Sequence, residues 1–207
     1  MDDEFYIKDG KQYERVTRIL DYFQPPELVS WRVRVGLKEA NRVSKVALKF
    51  GTRVHSLIET NEKLDKKDGE EVRNCMKAWS SWMADNNTTF KNGVTLYDDV
   101  RQVAGTPDLL TDSWLVDIKT SREVKPTHFV QLGGYASLLP NKPCLIAILR
   151  LDKQSGLYEY VTNEKIGMTV DQCISAFNYI LGYYRFHNRV QSTLKPNRAM
   201  PEGEEDE

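Results

Sequence analysis

Two acidic residues lie in neighbouring strand-like segments, and their spacing restricts how this chain can fold. Asp108 follows Gly-Thr-Pro, while Asp117 and Lys119 lie in an apolar run. Side chains two apart in a strand share a face, so Asp117 and Lys119 project together. The polar segment Thr111-Asp112-Ser113 predicts a turn, and a hairpin there places Asp108 beside Asp117. Two carboxylates crowded beside an ammonium predict a cation site.

Composition fits an ordinary water-soluble domain. The 207 residues are 29% charged and 40% hydrophobic, and no apolar run is long enough to span a bilayer. The start, Met1-Asp2-Asp3-Glu4, is acidic where a secretory signal would be basic, so we expect a cytoplasmic protein without a membrane partner. Three scattered cysteines (Cys75, Cys144 and Cys173) indicate reduced core thiols, with neither disulfides nor an iron–sulfur cluster.

The net charge of −1 conceals a separation of charge along the sequence. The tail 201–207 is acidic, and we expect it to be disordered. Between Trp31 and Arg53 one acid, Glu39, stands among many basic residues. Like charges one helical turn apart destabilise a helix, so this stripe favours an anionic partner over a merely solvated face. The candidates for contact with such a partner are Arg34, Lys38, Arg42, Lys45, Lys49 and Arg53.

Hydrophobic periodicity predicts helices first and then a mixture of strands and helices. The predicted helices span 27–50, 53–64, 72–86, 126–139 and 169–190, with a break at Gly51-Thr52 and Thr52 as the cap of the second helix. The predicted strands span 94–103, 108–110, 113–118, 144–151 and 157–161.

This order predicts an α/β fold in which a central mixed sheet is flanked by helices and preceded by an N-terminal helical segment. We expect one domain over about 1–200, with the helical lead-in near 13–65 and the sheet near 93–161.

The acid pair suits a hard divalent cation. Mg²⁺ prefers oxygen ligands and takes one or two carboxylates plus waters and phosphate, so Asp108, Asp117 and the Ile118 carbonyl are candidate ligands. Lys119 could then orient or deprotonate a nucleophilic water, or balance charge on a phosphate. The competing interpretation is structural: Asp108 caps a turn, and Asp117 forms a surface ion pair with Lys119.

The chain resembles the PD-(D/E)xK nuclease superfamily, in its RecB-like, phage-type exonuclease branch. Pro107-Asp108 and Asp117-Ile118-Lys119 carry the central motif, Gly51-Thr52 through His55 and Glu59 resembles the upstream motif, and Gln131 through Tyr135 resembles the downstream motif. The lead-in Val16-Thr17-Arg18-Ile19-Leu20 is also similar, although Arg15 stands where serine is frequent. The resemblance covers roughly 13–151.

This resemblance implies a restriction-endonuclease-like core. It also implies that His55 ligates Mg²⁺ or Mn²⁺ and that Gln131 and Tyr135 position the substrate and the lysine. From the helical spacing, Glu59 shares a face with His55 and is a candidate to bind a second ion or hold the ring. Gly133-Gly134 is best explained by close packing on the sheet or on DNA. Ser121 and Arg122 complete the DNA-contact candidates.

The function expected from this resemblance is a metal-dependent exodeoxyribonuclease of phage or prokaryotic origin, acting in DNA processing, recombination or repair. The alternatives are a non-cleaving DNA-binding or end-recognition protein, an iron–sulfur nuclease, and a site-specific endonuclease. The sequence leaves open the polarity, the strand preference, the choice between DNA and RNA and the number of ions. A homo-oligomer or a recombination partner protein is equally undetermined.

Overall fold

The computed structural model describes residues 5–194, so the acidic tail 201–207 lies outside the described residues. Within that range the elements in chain order are β1 (Phe5–Lys8), β2 (Lys11–Arg15), α1 (Val16–Asp21), α2 (Pro26–Val35), α3 (Leu37–Thr60), α4 (Glu70–Asn86), β3 (Leu96–Asp98), β4 (Val103–Gly105), β5 (Leu109–Leu110), β6 (Trp114–Lys119), α5 (Pro126–Ala136), β7 (Leu145–Leu151), β8 (Tyr158–Thr162) and α6 (Val170–Leu194).

The described strands form two mixed sheets of four strands each. The first has the order β1-β2-β4-β3, and the second has the order β5-β6-β7-β8. In the second sheet β6 and β7 run parallel, with Asp117 opposite Ile148, while β5 and β8 flank them antiparallel. The α5 crossover connects the two parallel strands, as a parallel pair requires.

Both faces of the second sheet are covered. Leu115, Ile146 and Ile148 pack towards α1, α5 and α6. Their neighbours Val116 and Leu149 pack towards α3 and α4 on the other face. Because both faces of β6 are buried, the first part of the strand is apolar. The charged residues Asp117 and Lys119 come only near its end. The predicted α/β class, with a mixed sheet flanked by helices, is confirmed.

The predicted helix break at Gly51-Thr52 is wrong. Helix α3 continues through both residues to Thr60, and the Thr52 hydroxyl donates to the Leu48 carbonyl at 3.0 Å instead of capping a new helix. The interruption lies at Gly36, whose φ of +83° separates α2 from α3 and suits glycine. Burial of the last turns of α3 outweighs the roughly 1 kcal/mol that a glycine costs inside a helix.

Three other expectations need correction. The hairpin of β1 and β2 was not predicted, because its residues are mostly polar and only Tyr13 among them is buried. The single strand predicted over 94–103 instead contains β3, a turn and the first residue of β4, which together form a hairpin. All three cysteines are free, but Cys144 is exposed rather than in the core. Within the described residues no helix is long and apolar enough to cross a bilayer.

Candidate active site

The hairpin of β5 and β6 brings the two acids together, as the sequence predicts. Leu109 pairs with Val116, so Asp108 and Asp117 are the next residues towards the open end of the hairpin. The Asp108 carboxylate accepts the backbone N–H of Ile118 at 2.6 Å. Asp117 is only 2% exposed. The hairpin register therefore fixes both carboxylates on one edge of the sheet.

His55 reaches the acids from α3. Its Nδ1 lies 2.9 Å from Oδ1 of Asp108. The helix holds it there because the adjacent Val54, Leu57 and Ile58 are buried against the sheet. Burial lowers the pKa of His55, but the hydrogen bond to Asp108 and the charge of that carboxylate outweigh burial and raise the pKa above its ordinary value.

Lys119 is held between two acceptors. Its Nζ lies 2.7 Å from Oδ2 of Asp117 and donates to Oε1 of Gln131 at 2.9 Å. The other end of the Gln131 amide donates to Tyr135 Oη at 2.8 Å and to Asp117 Oδ1 at 3.2 Å. The predicted β6 and α5 motifs are therefore joined in one hydrogen-bonded network.

The electrostatics of this network are dominated by burial. Burial raises the pKa of Asp117 to about 6, with Lys119 opposing the shift and the neighbouring Asp108 adding to it. Burial, together with the charge of Asp117, raises the pKa of Tyr135, so its hydroxyl remains protonated at neutral pH. A neutral hydroxyl at this position can act as a hydrogen-bond donor.

The donor set fits a hard divalent cation. Two carboxylates and an imidazole meet beside the Ile118 backbone, and this is the ligand chemistry of Mg²⁺ and Mn²⁺. Oδ2 of Asp117 is buried and, although close to Lys119, accepts no well-aligned hydrogen bond. Across residues 5–194 no three His, Cys, Asp or Glu side chains are spaced as a ready metal cage. The ligand roles of these residues stay predictions.

Glu59 lies one helical turn beyond His55 and lines a small pocket with it and with Asp108. Its carboxylate rests against Gly93, where an added Cβ would lie 2.7 Å from Oε1. Asn92 donates to the Glu59 carbonyl at 3.1 Å. The loop before β3 thus holds Glu59 at the rim of the site. The sequence did not indicate this contact between the loop and α3.

A cleft of about 750 Å³ opens from the site along α3. Of the DNA-contact candidates, Arg42 and Ser121 line it. Both have partners: Arg42 forms a bidentate pair with Glu39, and the Ser121 hydroxyl donates to a backbone carbonyl. The remaining candidates except Arg53 are exposed, namely Arg34, Lys38, Lys45, Lys49 and Arg122.

Arg53 occupies a different environment from the other candidates. Its guanidinium makes two 2.9 Å hydrogen bonds to Asp68 and a 3.2 Å bond to Glu62. These contacts tie α3 to the loop before α4, so a structural role accounts for the side chain.

Two residues near the site were not among the predicted site residues. Lys153, from the turn between β7 and β8, lies 5.0 Å from the ring centre of Phe50 and faces α3 across the cleft. His128 accepts the backbone N–H of Lys125 through Nδ1 at 3.1 Å. Burial and the nearby Lys119 lower its pKa to about 3. A contact across the fold gives no local sequence signal, and histidine is not the glutamate or glutamine that usually marks the N3 capping position it fills here.

The Gly133-Gly134 pair packs against α6 and α1, not against the sheet or DNA as expected. A Cβ on Gly133 would lie 2.2 Å from the Cys173 carbonyl oxygen, and one on Gly134 would lie 2.7 Å from Val16. Gly105 of β4 permits a second close approach to α5, since a Cβ there would meet the Tyr135 ring at 2.5 Å. Gly105 thus lets Tyr135 lie against β4, while Gly133 and Gly134 let α5 pack closely on α6 and α1.

No family model matches the chain, and no curated protein matches its sequence. Solved structures with a similar course of chain include two of one exonuclease. A crystal structure of an alkaline exonuclease from Laribacter hongkongensis shares 13% identity, covers 88% of this chain and 94% of its own, and gives a TM-score of 0.42. The same exonuclease in complex with dAMP shares 12% identity, with 87% and 93% coverage and a TM-score of 0.40. At this level of similarity, the side-chain geometry carries the functional argument.

Proposed function

We propose that this chain is a metal-dependent deoxyribonuclease, acting as an exonuclease in DNA processing, recombination or repair. One observation carries the proposal: three separate parts of the chain converge on the adjacent carboxylates of Asp108 and Asp117, because α3 contacts Asp108 while β6 and α5 contact Asp117. A structural ion pair requires only one partner for each acid. The nuclease domain would span about 1–200, with the lead-in near 13–65 and the catalytic sheet near 93–161.

His55, Asp108, Asp117 and the Ile118 carbonyl would hold one or two Mg²⁺ or Mn²⁺ ions, with Glu59 as a further ligand. A divalent ion at such a site polarises a phosphodiester and lowers the pKa of a bound water. The rest of the chemistry belongs to this chain. The Asp108 carboxylate is held by the Ile118 N–H and the His55 ring, so its orientation is set before substrate arrives.

Lys119 acts on the attacking water or on the phosphate. An ammonium has three N–H donors; Gln131 accepts one of them, and Asp117 lies 2.7 Å away as an ion-pair partner. A further N–H can hydrogen-bond the nucleophile or a phosphate oxygen whose charge grows during displacement. Gln131 and Tyr135 restrict where the lysine can point. The oxygen of the Gln131 amide accepts from Lys119, and its nitrogen is held by Asp117 and Tyr135. The exposed lysines of α3 would contact the DNA backbone.

The test is hydrolysis of linear DNA labelled separately at each end, beside a circular substrate, with Mg²⁺. Asp117→Asn and Lys119→Ala should lower the rate by about 10²–10⁴-fold while retaining the folded state by circular dichroism. The exposed ion pair of Lys142 and Asp171 supplies matched controls, Lys142→Ala and Asp171→Asn, which should cleave at the wild-type rate.

Cleavage of circular DNA as fast as linear DNA would replace the exonuclease assignment with an endonuclease. Binding of DNA with no hydrolysis under any divalent ion would instead support the non-cleaving alternative. Release of labelled mononucleotides from one end only would give the polarity.

A further inference from the structure

The outer side of α6 and the junction between α1 and α2 expose an unusual amount of aromatic surface. On α6, Tyr179 is 81%, Tyr183 60% and Phe186 65% exposed. Their spacing of three and four residues places these rings in one row on the helix. The opposite side of α6 is the buried one, through Phe177, Leu181 and Tyr184. We name the exposed set the aromatic face; it consists of Tyr22, Phe23, Tyr179, Tyr183, Phe186 and His187.

Contacts between two distant segments hold this face in place. Tyr22, at the end of α1, donates its hydroxyl to Asn188 at 2.8 Å, and the same oxygen lies 3.1 Å from Nδ1 of His187. The His187 ring lies 5.1 Å from that of Tyr22 and is nearly parallel to that of Tyr183, at 27° and 6.1 Å. The rings of Tyr22, Tyr183 and His187 are therefore held relative to one another, and little order would have to be gained at these three on binding.

The charge around the face is positive. No acid occurs from Gln172 to Leu194, whereas Arg185 and Arg189 lie on this stretch of the helix. The Arg185 guanidinium donates to the Arg101 carbonyl. Arg189 is exposed and lies three residues from Phe186. Two acids lie nearby, and both face an arginine: Asp21 interacts with Arg32 of α2, and Glu14 lies 3.8 Å from Arg18. An anionic partner with flat apolar surfaces therefore matches this face in both charge and shape.

We propose that the aromatic face binds single-stranded nucleic acid, with its rings stacked on bases and Arg189 against a phosphate. Aromatic rings beside cations are the usual platform for unpaired bases, whereas duplex DNA hides its base faces. One helical turn advances about 5.4 Å. This exceeds the roughly 3.4 Å rise per nucleotide in a duplex, so the row suits an unstacked strand.

This surface is separate from the candidate active site. Helix α6 packs on α5 through the Gly133 side, and the acids approached by Gln131 lie beyond α5. The proposal therefore goes beyond hydrolysis and does not require it. It describes a second contact that would hold a strand on the outside of the molecule.

The test is fluorescence anisotropy of labelled oligo-dT with the full chain in EDTA, so that binding is measured without cleavage. Tyr179→Ala with Tyr183→Ala should weaken binding at least tenfold. Tyr183→Phe should keep wild-type affinity, while Tyr183→Leu should behave like Tyr183→Ala, since leucine is apolar but cannot stack. Ile7→Ala, at an exposed apolar residue of β1, is the matched control and should change nothing. Arg189→Gln should reduce the slope of log K against log salt by about 0.7.

Three outcomes would overturn the proposal: unchanged affinity in the double variant, full affinity with leucine at 183, or an equal loss in Ile7→Ala. Sedimentation of the protein without nucleic acid tests whether the face instead binds a second copy of the chain. If the wild type self-associates and the double variant does not, the face is an interface between copies and the proposal is wrong. Ring-dependent binding without any hydrolysis would leave this inference intact and refute the nuclease.

Discussion

The two halves of α3 differ in environment although they belong to one continuous helix. From Val54 to Ile58 the helix is largely buried and delivers His55 to Asp108. From Leu37 to Lys49, Ala40 alone is buried, and valines as well as lysines face solvent. The buried half positions the His55 side chain, and its geometry is set by packing. The exposed half is supported by little besides α2, so we assign it to substrate contact, and the two halves should respond differently to substitution.

The largest expected effect is on the buried packing between α5 and α6. Gly133→Ala places a methyl group against the Cys173 carbonyl and should destabilise the fold by about 3 kcal/mol, because α5 and α6 must separate. Gly182→Ala, on the open side of α6, meets nothing within 4 Å and should stabilise the fold by about 0.5–1 kcal/mol. Urea unfolding of both variants measures this difference. Equal stability of the two variants would refute the close packing of α5.

Gln131→Ala should lower kcat by about 10–100-fold with little change in KM, because the amide hydrogen-bonds both Lys119 and Asp117 and so orients them. Gln154→Ala, at an exposed glutamine in the turn between β7 and β8, serves as the control. A rise in KM at constant kcat would assign Gln131 to substrate binding instead.

The pH dependence of stability should show a contribution from His128. Its pKa is about 3 when folded and about 6.5 when unfolded, so below pH 6.5 the unfolded state binds more protons. Stability should therefore fall by about 1–2 kcal/mol between pH 7 and pH 5. His128→Gln keeps an acceptor for the Lys125 N–H and should remove this part of the slope. Thermal unfolding at several pH values checks it, and an unchanged slope in the variant would contradict the assignment.

The smallest effect is expected on the exposed half of α3. Lys45→Gln with Lys49→Gln should leave the Tm unchanged and weaken duplex binding, with the slope of log K against log salt reduced by about 1.8. Lys142→Gln with Lys165→Gln gives the same change in charge at exposed positions outside the cleft. A loss of affinity in both pairs alike would show that the overall charge, and not α3, attracts DNA.

The sequence was sufficient for the local parts of the site. Alternation along β6 and the polar turn before it place Asp117 beside Asp108, and a period of four on α5 places Gln131 with Tyr135. The class of fold follows from the order of the elements. His55 was identified only through the motif resemblance. Its contact with Asp108 spans 53 positions of sequence, and no local pattern encodes such a contact.

Other features depend on packing that a single sequence does not reveal. Gly51 reads as a helix break, yet burial of the following turn carries α3 through it, while Gly36 interrupts the helix. The β1 and β2 hairpin is mostly polar and gains its place by pairing with β4. Arg53 belongs to a basic stripe by sequence, but the fold places Asp68 against its guanidinium.

The central claim is that His55, Asp108 and Asp117 together bind a divalent ion. Isothermal titration of Mn²⁺ into the DNA-free protein tests it most directly, with Asp171→Asn as the control for loss of one acid. We predict that the wild type and the control bind Mn²⁺ alike, and that His55→Ala, Asp108→Asn and Asp117→Asn each weaken binding at least tenfold. Equal Mn²⁺ affinity in the wild type and Asp117→Asn would contradict the account.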